Sequence, residues 1–328
     1  ACQEHNDVLI IATLNDGLYL YDRRSATHTH LPDTEASRVL VDGDGTLWTV
    51  SKSLRFLSAW EVSRTSLRKK KDFQVRFPLS MAADSEGTIW LGCPYGVVQY
   101  LKKGAEQVST VPGQPYSTYT FTPGMLPLSD GRVLVCSFDR PVKIIDRELH
   151  SREYLLDDEQ LSNCIRRSVY VPTDVLEDSE GKIWFGTVAN GLLCYDPSTN
   201  EMKPVPGASC SDIMGILEDQ SGNIWVSTMY GIGMLDKKTM SFTNYTEGDG
   251  IGGNQFTDRA ACALPDGTLV FGGNHGITMF KPEQADSVVS VPVIFEDVKV
   301  HNRRIDYDFR SGETLKLNWR QDAFSISF

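Results

Sequence analysis

VLEDSEGKIWFGTVANGLLCYD, from Val175 to Asp196, decides the fold, because the pattern returns at Ile216–Asp236 as ILEDQSGNIWVSTMYGIGMLD. Both stretches run from an apolar strand through a glycine-containing turn to a second strand that opens with tryptophan. A second glycine and a third strand ending in aspartate follow. The two tryptophans, Trp184 and Trp225, are 41 residues apart. Self-similarity at such a period is the signature of a repeat architecture.

The first residue of each second strand, the anchor, lets the repeat be followed along the whole chain. Three of the copies carry an aliphatic residue instead of tryptophan. A looser fourth strand is predicted at Ser241–Tyr245, and helical periodicity is nearly absent. Four strands in about 42 residues are typical of a propeller blade. The sequence therefore predicts an all-β, seven-bladed β-propeller whose anchors are buried between blades, namely Ile10, Trp48, Trp90, Leu134, Trp184, Trp225 and Val270.

The composition limits the classes of protein that the chain can represent. The 328 residues carry a net charge of −11, with a pI of about 5.1. This charge argues against a nucleic-acid-binding protein, which needs a broad basic face. No apolar run reaches the roughly 20 residues of a membrane helix. No signal peptide is seen at Ala1, although a processed chain would look the same.

The cysteines and histidines do not suggest a metal site. The seven cysteines form no CxxC pair and no zinc spacing, and the six histidines are scattered. We therefore predict no metal and no cofactor. Cys164 and Cys210 lie between strands, and a disulfide between them is an open alternative. Small buried side chains are expected at the interior strand positions Cys93, Cys136, Cys194 and Cys262.

One end of the predicted ring collects polar and aromatic residues. In each blade the start of the first strand and the loop before the second glycine lie at this end, which we call the mouth. The Asp-Ser-Glu-Gly turns lie at the opposite end. Converging aromatic, amide and charged groups suit a polar ligand, but loops are polar anyway, so a plain solvated rim is the alternative. The candidate ligand-binding residues are Arg38, Tyr95, Arg140, Asp174, Asn190, Asp212, Tyr230, Asp258, Arg259 and His275.

No catalytic residues can be assigned from the sequence. The Asp-Ser-Glu-Gly turns are similar to the Asp boxes of sialidases, which are structural even there. No nucleophile and no general acid–base pair is evident, so the isolated chain is not expected to be an enzyme. The basic run Arg68–Lys71 is interpreted as a solvated loop between blades, with attraction of an acidic glycan as the alternative.

Two features of the chain resemble one known family. The run ILEDxxGxIWxxTxxG resembles the two-component regulator propeller repeat. After the last blade, VPVIFEDVKVHNRRID at Val291–Asp306 and LKLNWRQDAFSISF at Leu315–Phe328 resemble the opening strands of the family's Y_Y_Y domain, an immunoglobulin-like β-sandwich. The resemblance implies a propeller at residues 1–285 and the start of a truncated Y_Y_Y domain at residues 286–328.

The resemblance also implies a function. In that family these modules form the periplasmic sensor of hybrid two-component regulators, which carry two propellers, a Y_Y_Y domain, a membrane helix and a histidine kinase. Members in polysaccharide-degrading gut bacteria typically sense oligosaccharides. The implied partners are an oligosaccharide ligand, an adjacent propeller and the Y_Y_Y domain of the same parent chain, and a second copy in a homodimer. The chain would belong to an inner-membrane receptor and reach the membrane only through parts outside this sequence. The alternatives are a propeller scaffold in a cell-surface or secretion assembly and, less favoured, a glycan-active enzyme.

Ring closure forms a separate expectation. Aligning Ile10 with Trp225 places Ala1 inside the first strand of blade 1, so the innermost strand of that blade should be short. The seventh repeat lacks an aromatic-rich outer strand after Pro282. We expect residues upstream of Ala1 in the parent protein to supply that strand, with fraying at the seam between blades 1 and 7 without them. A regular outer strand at residues 283–290 would contradict this expectation.

Overall fold

The computed structural model describes residues 2–13, 16–34, 36–113, 122, 124–136, 142–153, 172–285, 297–300, 303–305 and 324–327. Contacts between Cα atoms divide the chain into two units, Ala1–Pro282 and Glu283–Phe328. None of the helices in the described segments combines the length and the apolar character needed to span a membrane.

The first unit is a ring of seven antiparallel sheets, numbered as blades along the chain. Blade 1 contains β1 (Cys2–His5), β2 (Val8–Ala12), β3 (Leu18–Asp22) and β4 (Thr27–Leu31). Blade 2 contains β5 (Arg38–Val41), β6 (Thr46–Val50), β7 (Phe56–Val62) and β8 (Leu67–Gln74). Blade 3 contains β9 (Ser80–Ala83), β10 (Ile89–Gly92), β11 (Val98–Leu101) and β12 (Ser109–Thr110), with a 3-10 turn at Pro94–Gly96.

The remaining blades follow the same plan. Blade 4 contains β13 (Gly124–Pro127), β14 (Val133–Cys136), β15 (Lys143–Ile145) and β16 (Ser151–Glu153). Blade 5 contains β17 (Pro172–Glu177), β18 (Ile183–Thr187), β19 (Leu192–Asp196) and β20 (Glu201–Val205). Blade 6 contains β21 (Ile213–Glu218), β22 (Ile224–Thr228), β23 (Gly231–Asp236) and β24 (Ser241–Tyr245), with a 3-10 turn at Glu247–Asp249. Blade 7 contains β25 (Phe256–Ala263), β26 (Leu269–Gly273) and β27 (Gly276–Phe280), and the helix α1 (Pro282–Ala285) follows.

Strand order confirms the predicted propeller. Each sheet follows chain order, so neighbouring strands are hairpin partners. The first strands of successive blades contact one another around the axis, and β1 closes the ring against β25. The first strand of every blade is therefore the innermost one, and the mouth is the end at which these strands begin.

Side-chain alternation along the second strands builds the core between blades. In β10, Ile89 and Leu91 pack in a cluster with blade 2, whereas Trp90 packs with blade 4. This two-residue period gives every blade two apolar faces. The predicted burial of the anchors is confirmed, since Trp184 is 1% exposed and Trp90 is 5% exposed, although Trp48 is only half-buried.

An aspartate six residues before each tryptophan anchor organises the turn between the first two strands. In blade 5, Asp178 Oδ1 accepts the backbone amides of Glu180 and Lys182, both at 2.9 Å. Its Oδ2 accepts the indole Nε1–H of Trp184, also at 2.9 Å. The same aspartate–indole bond joins Asp42 to Trp48, Asp84 to Trp90 and Asp219 to Trp225. The aspartate is therefore a structural acceptor, and its occurrence with tryptophan follows from the shared hydrogen bond.

The neighbouring glutamate and serine of the motif join adjacent blades. Glu218, at the end of β21, accepts both the backbone amide and the hydroxyl of Ser179 in the turn of blade 5, each at 2.7 Å. Glu177 accepts the same pair of donors from Ser129 of blade 4, at 2.7 and 2.9 Å. In the blades where these bonds are seen, the acidic turn therefore has a structural role.

Two sequence expectations need comment. The basic run Arg68–Lys71 was expected to be a loop, but it lies in the strand β8, where ion pairs link Arg68 to Glu61 and Lys71 to Glu106. The loop interpretation was wrong because alternation in an exposed outer strand leaves no apolar signal. For the pairing of Cys210, the partner Cys164 lies outside the described residues.

The seam expectation stays a prediction. The innermost strand β1 has four residues, but β5, β9 and β13 have the same length, so its length does not mark the seam. Within the described residues blade 7 has three strands. Residues 283–285 belong to α1, and residues 286–290 lie outside the described residues.

The second unit contains a small antiparallel sheet. Its strands are β28 (Asp297–Val300), β29 (Arg303–Ile305) and β30 (Phe324–Ser327), in the order β29–β28–β30. The assignment of this segment to a Y_Y_Y domain stays a prediction.

Candidate binding site at the ring mouth

Two arginines from different blades converge at the mouth end of the central channel. Arg38 is the first residue of β5, and its Nε donates to the carbonyl of Leu79 in blade 3 at 3.1 Å. Arg259, in β25 of blade 7, donates from Nη1 to the same carbonyl at 3.5 Å. Its Nε donates to the carbonyl of Thr173 in blade 5 at 2.7 Å. Guanidinium groups thus link blades 2, 3, 5 and 7 across the channel.

An irregular strand places Arg259 in this position. The pairing of β25 with β26 shifts between Phe256 and Ala261, so a bulge interrupts the strand. Arg259 lies within the bulge and has a φ of 51°, in the left-handed region. Bulges redirect side chains, and this conformation costs a non-glycine residue about 1 kcal/mol. Strained backbone of this kind clusters at functional positions.

Asp174 supplies the opposite charge in the channel. It follows a shift of register in β17, and its Oδ2 accepts the backbone amide of Ile216 in blade 6 at 2.9 Å. Burial raises the pKa of the Asp174 carboxyl to about 6, although the Ile216 amide and the charge of Arg259 favour the ionised form. Burial also lowers the pKa of Arg259, while Asp174 opposes that change. The channel therefore presents cationic donors beside a carboxyl group that titrates close to neutrality.

This raised pKa predicts a pH-dependent contribution to stability. The unfolded carboxyl titrates at its ordinary value of 3.8, so between about pH 4 and pH 6 the folded ring holds a proton that the unfolded chain releases. The contribution of Asp174 to stability is therefore present at low pH and is lost as the pH rises to 6. We expect Asp174→Asn to gain in melting temperature relative to the wild type between pH 4 and pH 7. Melting curves at both pH values measure the difference.

Asp236→Asn provides the control. Hydrogen bonding from the backbone amide of Lys238 lowers the pKa of Asp236 from its ordinary value of 3.8, so its contribution is lost only as the pH falls below that value. The difference between Asp236→Asn and the wild type should therefore stay nearly constant between pH 4 and pH 7. A flat difference between Asp174→Asn and the wild type would contradict the prediction for Asp174.

Exposed apolar side chains also gather at the mouth end. Tyr230, in the β22–β23 loop, is 57% exposed, and Tyr95, in the β10–β11 loop, is 45% exposed. Among the described residues, six of the eight exposed large apolar side chains occupy mouth loops or strand ends, namely Phe56, Phe77, Tyr95, Val188, Met229 and Tyr230. The mouth is therefore the apolar and aromatic end of the ring, as a recognition surface requires.

The other candidate ligand-binding residues that the structure describes either hold or form part of a loop of blade 5, or are exposed. Asp212 Oδ1 accepts the backbone amide of Ala189 at 2.7 Å and so holds the blade 5 loop that contains Asn190. Asp258 and His275 are exposed on blade 7, and Arg140 lies outside the described residues. The structure thus brings together Arg38, Asp174 and Arg259, and leaves the tyrosines and His275 on separate rim loops.

Sequence reasoning missed the groups that hold these side chains. The acceptors are the backbone carbonyls of Leu79 and Thr173, and main-chain groups leave no residue-specific signal. The strand that contains Arg259 has no glycine or proline at its bulge, and Pro172, which borders the shift before Asp174, does not by itself indicate a bulge. Only the pairing with the neighbouring strand reveals them.

The turn end offers two weaker features. Asp146, Glu148 and His150 bring potential metal-ligand atoms within 4.8 Å of one another on a mostly exposed turn of blade 4. The His150 backbone amide already donates to Asp146. An open depression of about 650 Å³ lies beside the turns of blades 1 and 2, and its lining includes the acidic residues Glu4, Asp7, Asp42 and Asp44. Exposed acidic turns of this kind are ordinary propeller surface.

Comparison with known proteins agrees with this architecture. Residues 166–189 and 207–230 match the model of the two component regulator propeller family. Histidine kinase P4 of Formosa agariphila is 24% identical over 197 residues, which are 56% of this chain and 14% of that kinase. The extracellular domain of a hybrid two component system from B. thetaiotaomicron is 19% identical with a TM-score of 0.75, over 99% of this chain and 45% of that domain.

An enzyme shares the fold as well. Virginiamycin B lyase from Staphylococcus aureus is 13% identical with a TM-score of 0.60, over 85% of this chain and 96% of the lyase. At this identity the likeness concerns the fold alone. The chain is a seven-bladed β-propeller with a polar channel under an aromatic mouth. Two stretches of its repeats match the two-component regulator propeller family, and its fold resembles the extracellular domain of a hybrid two-component system.

Proposed function

We propose that the chain is the ligand-sensing module of a hybrid two-component receptor that responds to oligosaccharides from polysaccharide breakdown. The observation that carries the proposal is the mouth, where Arg38, Arg259 and Asp174 lie in the channel below exposed Tyr95 and Tyr230. Charged groups orient the hydroxyls of a sugar by strong hydrogen bonds. Exposed aromatic rings supply flat apolar surface for the sugar's C–H face.

The chain spans 14% of the kinase and 45% of the receptor domain that it matches. We infer a parent receptor whose periplasmic part includes an adjacent propeller and a Y_Y_Y domain, and which is anchored in the inner membrane by segments outside this sequence. A homodimer of such receptors would pass the signal to the kinase. Ligand binding shifts a receptor only through different affinities for two states.

Calorimetric titration with a panel of neutral and acidic oligosaccharides tests the proposal. We expect one class to bind, and Tyr230→Ala and Tyr95→Ala each to weaken its affinity by roughly tenfold, because an aromatic contact contributes about 1 kcal/mol or more. Met240→Ala is the matched control, since Met240 is 50% exposed on a turn at the opposite end of blade 6.

Three results would count against this proposal. Equal affinities in the tyrosine variants and the control would remove the mouth as the binding surface. Absence of binding by every oligosaccharide would favour a scaffold in a protein assembly. Release of reducing ends from polysaccharides, or loss of virginiamycin B, would show an enzyme.

A further inference from the structure

One face of blade 2 departs from the packing rule that the other blades follow. The residue after the anchor points into the interface with the preceding blade. In blade 2 this residue is Thr49, which is 2% exposed. The equivalent residues of the other six blades are all large and apolar, namely Ile11, Leu91, Val135, Phe185, Val226 and Phe271.

The polar character continues across the blade. Thr49 is paired with Ser58 of β7, and Ser58 is paired with Asp72 of β8, so the three side chains form a row on one face. Ser58 is 5% exposed, and its hydroxyl donates to Asp72 Oδ1 at 2.5 Å. Trp60 Nε1 donates to Thr49 Oγ1 at 2.8 Å. Lys69 Nζ lies 3.2 Å from Asp72 Oδ2.

This row lines a cavity of about 470 Å³ where blades 1 and 2 meet. Asp33 and Thr34, from the connection between the two blades, form its other side, and Phe56 borders it with an exposed fraction of 42%. Small polar side chains replace the bulk that fills this interface elsewhere, which leaves space. Buried hydroxyls contribute less to packing than the apolar residues they replace, so stability alone does not explain the row.

We propose that this inter-blade pocket binds a small neutral polyhydroxylated molecule, such as one sugar ring. Its volume falls in the range of small-molecule sites. The carboxylates of Asp33 and Asp72 accept hydroxyl donors, and Phe56 offers an aromatic face. The single ammonium group of the lining, Lys69, is already paired with Asp72, so the pocket carries excess negative charge and disfavours anions. Phe56 lies at the mouth end, but the row Thr49, Ser58 and Asp72 lies between blades 1 and 2, apart from Arg38, Asp174, Arg259 and the two tyrosines. The inference therefore goes beyond the proposed function.

The test uses neutral monosaccharides and glucuronate as probes in saturation-transfer NMR and calorimetry on the whole chain. We expect at least one neutral sugar to bind and glucuronate to bind at least tenfold more weakly. Thr49→Leu restores the apolar residue that the other blades carry after the anchor, and Ser58→Leu adds the bulk that Leu193 provides in blade 5. The double variant should abolish neutral-sugar binding while the melting temperature is kept or raised. Tyr230→Ala at the mouth should leave this binding unchanged.

A second variant keeps the proposal falsifiable if the filled pocket disturbs folding. Asp72→Asn retains the size of the side chain. It should weaken the affinity for the neutral sugar by about tenfold and strengthen the binding of glucuronate, because it removes a negative charge. Binding of no neutral sugar, or equal binding by the wild type and Asp72→Asn, would overturn the proposal. Equal binding of glucuronate and neutral sugars by the wild type would overturn the ligand class. Loss of binding in Tyr230→Ala alone would assign the sugar to the mouth.

Discussion

Oxidised glutathione is expected to join Cys2 to Cys262 and to raise the melting temperature of the ring by roughly 5 °C or more. The two Sγ atoms are 3.2 Å apart, and both side chains are buried in the cluster that joins blade 1 to blade 7. The cross-link would close the seam of the ring across a separation of 260 residues. Closing so long a loop restricts the unfolded chain and stabilises the fold by about 2–4 kcal/mol.

The two thiols differ in reactivity. A hydrogen bond from Cys262 lowers the pKa of Cys2, so the Cys2 thiolate attacks a glutathione sulfur and releases one glutathione thiolate. Cys262 then loses its proton, attacks the Cys2 sulfur and releases the second glutathione. The protein loses two electrons, which reduce one glutathione disulfide to two thiols. Burial raises the pKa of Cys93 and Cys136 to about 12, which keeps them protonated and inert.

Melting curves with oxidised glutathione and with dithiothreitol measure the effect, and mass spectrometry of the digested protein identifies the bond. Cys262→Ser should remove the difference between the two conditions. Cys210→Ser should keep it, because Cys210 belongs to blade 6 and not to the seam. Alkylation of both Cys2 and Cys262 after oxidation and unfolding would show that the bond does not form.

Replacing either partner of an aspartate–tryptophan pair should destabilise the ring, and replacing both should cost less than the sum. Trp90 is 5% exposed, so Trp90→Leu leaves a cavity and costs about 2–4 kcal/mol. Asp84→Leu leaves the indole and the turn amides of Glu86 and Thr88 without their acceptor. This loss costs about 2 kcal/mol or more.

The double variant imitates a natural pair in the same chain. Blade 4 has Leu128 and Leu134 at the equivalent positions, both buried, and blade 7 has Leu264 and Val270. We expect the double variant to lose at least about 1 kcal/mol less unfolding free energy than the sum of the losses in the two single variants. Urea unfolding measures these free energies. Glu86→Leu, an exposed change in the same turn, is the control and should have little effect. Strict additivity would show that the two positions are not coupled.

The sequence by itself determined the ring. Glycines at turns, alternating apolar residues and the tryptophan anchor are local features of the sequence. They repeat because each blade has the same antiparallel plan and packs both of its faces against neighbouring blades. The roles of Asp178 and Glu218 were not evident from the pattern, although the pattern contained both residues. The donors to Asp178 are the amides of its own turn and the indole of Trp184. The donors to Glu218 became clear only where the strand of blade 6 meets the turn of blade 5.

The tertiary structure alone decided which side chains meet. Arg38, Asp174 and Arg259 come from blades 2, 5 and 7, and their meeting depends on the closure of the ring and on strand bulges. Cys2 and Cys262 are likewise neighbours only because the ring closes. Strand register and ring closure arise from pairing between distant segments, so the energies that set them are absent from any local stretch of sequence.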